Sequence, residues 1–108
     1  YEPFGIVALE AMVTKNPFIV SDVGGFAEIV ENKKTCLKTH PNDSHSLAKA
    51  ILDLVSDQQL ADRLAFNAYQ KVKEDYSWSN IATKTLKVYN EVLAEYQISD
   101  WQEEKVGV

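Results

Sequence analysis

From Phe4 to Val13 nine of ten residues are Gly or apolar, and the tenth is Glu10. Pro3 suits the first turn of a helix, where its missing N–H costs nothing. The pattern predicts a helix over 3–13, apolar on nearly every side and so buried on nearly every side. Lys15-Asn16-Pro17 ends it. Phe18-Ile19-Val20 reads as a short buried strand, and Ser21 to Gly25 as a turn. A short helix over 26–30 follows, with Glu28 outward, and Lys33-Lys34 marks another turn. A second strand is expected over 36–39, and His40-Pro41-Asn42 is a loop. Asp43 is placed to cap a helix over 44–55 with the stripe Leu47, Ala48, Ile51, Leu52 and Val55. Ser56-Asp57 caps the next, in which Leu60, Leu64, Ala68 and Val72 recur every fourth residue. Ser77 caps a last long helix, with Tyr76 and Ile81 at hydrophobic-staple positions and Trp78 as its anchor. Ile81, Leu86, Tyr89, Leu93 and Tyr96 keep helical spacing, and these stripes read as packing faces. The tail from Ser99 to Val108 is polar and expected to fray.

Helices alternating with short apolar strands imply an α/β fold with a parallel sheet. Two strands rarely make such a sheet on their own. The chain opens on Tyr1, inside what reads as a motif. The expectation is therefore the last third or so of a doubly wound domain, residues 1–98, cut from a longer protein, with 99–108 as a tail.

A net charge of -5 argues against a partner with a phosphate backbone, which calls for a basic face, so no nucleic acid is expected. A nucleotide stays open, because it needs only a local nest of backbone N–H groups. No apolar run reaches the ~18 residues of a membrane span. One cysteine, Cys36, allows no intrachain disulfide and makes a reducing, cytoplasmic setting the default.

Glu2 and Glu10 are the residues that pattern alone leaves unexplained. Eight residues of helix rise about 12 Å. That is close to the span from sugar to ribose in a nucleotide-diphosphate sugar. Between the two carboxylates lies a helix N-terminus, where free N–H groups of Phe4, Gly5 and Ile6 and the positive dipole end favour an anion. Gly5 leaves room for close approach. The plainer alternative makes Glu2 a solvated first-turn acid and Glu10 a buried partner of Arg or Lys.

The stretch "EPFGIVALEAM" resembles the E-x7-E motif of family-4, or group 1, retaining glycosyltransferases. "NPFIVSDVGGFAEIVENKKTCL" is similar to that family's strand, D-x-G-G loop and following helix. "HPNDSHSLAKAILDLVSD" and "YSWSNIATKTLKVYNEVL" resemble its two later helices. The resemblance implies part of a Rossmann-like domain, the C-terminal, donor-binding half of a GT-B fold. It implies that Glu2, the catalytic candidate, contacts donor-sugar hydroxyls. The amides of Phe4, Gly5, Ile6 and Val7 would hold sugar oxygens and diphosphate, and Glu10 the ribose. Asp22, Gly24 and Gly25 lie on a nearby loop, their role left open. No cofactor and no obligatory metal are implied. The implied partners are a UDP, GDP or ADP sugar and an N-terminal acceptor domain, with the parent peripheral to a membrane. Departures are Asn16 where Gly is usual, Ala27 where Pro is frequent, and Cys36 for a common Gly.

A metal cluster of Cys36, His40 and His45 is weaker than a buried Cys with two loop histidines. Asp22-Val23-Gly24-Gly25 is too short for a dinucleotide fingerprint. The rival to a transferase is a non-catalytic α/β interaction module in which Glu2 and Glu10 are structural. Exposed apolar residues on the first helix, the edge of the first strand and the last helix would make the isolated piece self-associate.

Overall fold

Gly5 takes φ +88°, and this backbone conformation sets where the first helix begins. A computed structural model of the chain describes residues 3–99. In it α1 runs Ile6–Val13, three residues later than Pro3 suggests, because a left-handed residue cannot continue an α-helical turn. The remaining elements are β1 (Ile19–Ser21), α2 (Phe26–Ile29), β2 (Leu37–Thr39), α3 (Ser44–Ser56), α4 (Gln58–Asp75) and α5 (Trp78–Ile98). The expected order of elements holds, with strand boundaries moved by a residue. The chain divides into two units, Tyr1–Glu74 and Asp75–Val108.

In the first unit β1 and β2 pair in parallel, with Ile19 opposite Leu37, Val20 opposite Lys38 and Ser21 opposite Thr39. The β-branched and apolar residues here suit a half-covered pleat. α3 packs on these strands. Leu37, Ala50 and Leu64 form a buried cluster, and Ile19, Leu54 and Leu60 pack against it. The expected stripe of α3 is corrected by this: Ile51, Leu52 and Val55 are exposed, and the covered positions are Ala50 and, in part, Leu54. α3 is apolar on two sides, and only the side that meets Leu37 and Leu64 finds cover. The stripe of α4 holds, with Ala61, Leu64, Ala65, Ala68 and Val72 buried.

α1 is not buried on every side. Ala8 and Met12 are covered, whereas Ile6 and Val7 are 61% and 56% exposed. The turn after α1 places Lys15, not Asn16, in the left-handed region at φ 57°. Lys15 therefore holds the place after a helix that Gly usually takes. Its Nζ lies 4.3 Å from the centre of the Tyr69 ring.

Among the described residues every buried side-chain nitrogen or oxygen has a hydrogen-bond partner. The Thr35 hydroxyl accepts from the Glu31 N–H at 2.9 Å, and the Thr39 hydroxyl donates to the Val20 carbonyl at 3.4 Å. Glu31, in the α2–β2 connection, pairs with Lys34 of the same segment at 2.8 Å and with Lys71 of α4 at 3.3 Å, and the second pair ties the connection to α4. These hydrogen-bonded ammonium groups hold its carboxyl below the usual range.

In the second unit Ser77 caps α5, its hydroxyl accepting from the Asn80 N–H at 3.3 Å. Trp78 opens that helix but is 85% exposed, so it is no anchor. Leu86, Tyr89, Leu93 and Tyr96 are exposed as well, and no described residue of α5 is buried. Trp101 and the tail from residue 100 lie outside the described residues.

Candidate functional site

The three long helices that follow β2 each borrow a side chain to close their first turn. Asp43 accepts from the Ser46 N–H at 3.0 Å, Asp57 from the Leu60 N–H at 2.9 Å, and Ser77 from Asn80. α1 does not. Its N-cap is Gly5, which has no side chain to lend. The Ala8 N–H reaches the Gly5 carbonyl at 3.0 Å. The N–H groups of Ile6 and Val7 make no hydrogen bond among the described residues, as the geometry of a helix start requires. Of the four amides expected to grip a donor, those of Ile6 and Val7 lie in the helix, and those of Phe4 and Gly5 precede it. Glu2 lies outside the described residues.

Glu10 sits one turn along α1. Its side chain is exposed and forms no ion pair among the described residues. The alternative of a buried Glu10 paired with a cation is corrected on that ground. The picture of a straight helix between residues 2 and 10 also changes. Only Ile6 to Glu10 is helical, a rise of about 6 Å.

The loop after β1 is packed onto this helix start. The Asp22 N–H donates to the Thr39 carbonyl at 2.9 Å, extending the ladder one residue past β1. The Val23 N–H turns back to the Ser21 carbonyl at 2.8 Å. Gly24 has φ 54°. A β-carbon on Gly25 would stand 2.5–2.6 Å from the backbone of Phe4. In the reverse direction, a β-carbon on Gly5 would stand 2.8 Å from the Phe26 ring. Gly25 thus makes room for the Phe4 backbone and Gly5 for the Phe26 ring, so Asp22-Val23-Gly24-Gly25 lies beside the chain entering α1. Asp22 itself faces Lys38, Oδ1 to Nζ 2.9 Å.

Sequence reasoning missed Lys38. Its signal was a lone lysine inside a short buried strand, which needs a partner. It also missed a cleft of about 430 Å³ at the carboxyl ends of the strands, lined by Ser21, Thr39, His40, Asn42 and Leu47 among others. That end of a parallel sheet is where pockets form. Cys36 is buried, His40 and His45 are exposed, and no group of three His, Cys, Asp or Glu among the described residues could hold a metal ion. No helix among them is long and apolar enough to cross a membrane.

Residues 1–71 match the family described as glycosyl transferases group 1. The chain belongs to that family. It is 43% identical over 89 residues to an uncharacterized glycosyltransferase of Methanocaldococcus jannaschii, covering 82% of this chain and 23% of that protein. It is 40% identical over 89 residues to a glycogen synthase of Mycobacterium tuberculosis, covering 82% and 22%. The crystal structure of Anabaena HepE in complex with UDP superposes with a TM-score of 0.78 and 29% identity, over 83% of this chain and 25% of that one. The chain thus spans about a quarter of the length of the relatives it matches. The likeness bears out the α/β, Rossmann-like fold class.

Proposed function

We propose that this chain forms part of the donor site of a retaining, family-4 glycosyltransferase, one that takes a nucleotide-diphosphate sugar and passes the sugar to an acceptor. The observation that carries the reading is the start of α1. It is a helix end without a capping side chain, with two N–H groups that make no hydrogen bond among the described residues, and with an exposed carboxylate one turn on. Such an end suits an anion, by geometry and by dipole. Diphosphate oxygens are assigned to the amides of Ile6 and Val7, ribose hydroxyls to Glu10, and donor-sugar hydroxyls to Glu2. Stabilising charge on the departing diphosphate is the catalytic contribution of such a site. HepE, solved with UDP and with UDP-glucose, supports a uridine nucleotide as the first probe.

The test is an NMR titration of the ¹⁵N-labelled chain with UDP. The amides of Ile6 and Val7 should move first. Glu10→Gln should weaken binding by roughly ten- to a hundredfold, since a hydrogen bond to a charged group contributes about 1.5–3 kcal/mol. Shifts confined to other elements, or a Glu10→Gln variant with unchanged affinity, refute the assignment. The rival module reading needs Glu10 covered and paired; its side chain is exposed and forms no ion pair among the described residues.

A further inference from the structure

Lys38 and Asp22 meet at the carboxyl end of the β1–β2 ladder, Nζ to Oδ1 2.9 Å. The pair is asymmetric. The Lys38 side chain is 13% exposed and that of Asp22 50%. The lysine stem is covered by the fold and only its head reaches the carboxylate. The Lys38 N–H is itself held, donating to Asn32 Oδ1 at 2.9 Å. A covered ammonium loses more than a surface one when its partner goes, so this pair is not interchangeable with the exposed pairs elsewhere on the chain.

What the pair holds is the first residue of a loop with little freedom. Asp22 is followed by the Val23 turn and by Gly24 at φ 54°, and then by Gly25 against the Phe4 backbone. The loop is so close to the chain entering α1 that Gly25 has no room for a β-carbon against the Phe4 backbone, and the Phe26 ring of α2, directly after the loop, crowds Gly5 in turn. A shift of the loop therefore moves the Phe4–Gly5 link, because close-packed segments transmit displacement. Ile6 and Val7 come next.

We propose that Lys38 and Asp22 are positioning residues for the donor end of α1, acting on the Ile6 and Val7 amides through Gly25 and Phe4. The functional meaning of this rests on the donor-site reading above; the structural coupling does not.

The ¹⁵N-labelled chain again serves, with UDP as the probe. Lys38→Met and Asp22→Asn should each displace the Ile6 and Val7 amide signals and weaken UDP binding severalfold. Lys38→Arg, which keeps the charge, should restore both. Lys34→Met, which breaks the exposed pair with Glu31, is the control and should leave Ile6 and Val7 where they are. Should Lys38→Met fail to fold, Asp22→Asn, altered at a half-exposed side chain, carries the test alone. Ile6 and Val7 signals no more displaced than in the control overturn the proposal. If UDP moves no α1 amide even in the unaltered chain, the donor reading falls, and the amide displacements still decide the coupling.

Discussion

Gly25 lies against Phe4 with no space between them: a β-carbon at position 25 would stand 2.5 Å from both the carbonyl carbon and the carbonyl oxygen of Phe4. The backbone of Gly25, φ -61° and ψ -20°, is one that any residue adopts. Glycine is needed here for room and not for conformation. Gly25→Ala should therefore destabilise the chain by about 1–3 kcal/mol, the cost of overpacking against backbone that cannot step aside. Urea unfolding measures it. A midpoint unchanged from the parent chain would show that the two segments part easily.

At Lys15 the requirement is reversed. Its φ of 57° is costly for a residue with a β-carbon, and its Nζ over Tyr69 offsets part of that cost. Lys15→Ala and Lys15→Gly both remove the ammonium. Only the second also removes the backbone strain. The glycine variant should be the more stable of the two by about 1 kcal/mol in the same unfolding assay. Equal stabilities would mean that the turn relaxes out of the left-handed region in solution.

Burial pushes the Cys36 thiol up from its ordinary 9.0 to about 11. In the unfolded chain the thiol ionises first, so stability held below pH 9 is lost as pH rises toward 11. Cys36→Ala lacks this dependence. It should be less stable than the parent at pH 8, where a buried side chain has been cut back, and the gap should narrow as the pH rises through that window. Thermal melts of both chains across the range read the gap, and a constant difference would contradict it.

What the sequence disclosed was mostly local. Asp43 and Ser77 are caps because a short oxygen three residues before an N–H is a property of a few consecutive positions. The α4 stripe was legible because small and apolar residues share one face there. The covered side of α3 was not, since the choice between two apolar sides is made by Leu37 and Leu64, which lie elsewhere in the chain. The start of α1 was misplaced for a similar reason. Pro3 permits a helix, but Gly5 turns left-handed against Phe26, and that contact is tertiary. The site divides in the same way. Glu10 and the two glycines of the loop were found by motif, whereas Lys38 entered only when β2 was laid beside β1.

The missing cap on α1 has a consequence of mass action. Asp43, Asp57 and Ser77 are attached to their helices and hold them at a fixed effective concentration. Gly5 supplies nothing of the kind. An oxyanion that settles on the Ile6 and Val7 amides would do for α1 what Asp43 does for α3, but in proportion to how much of it is dissolved. The firmness of this one helix end then becomes a property of the buffer as much as of the chain. Melting temperatures are comparable only between samples of the same anion content.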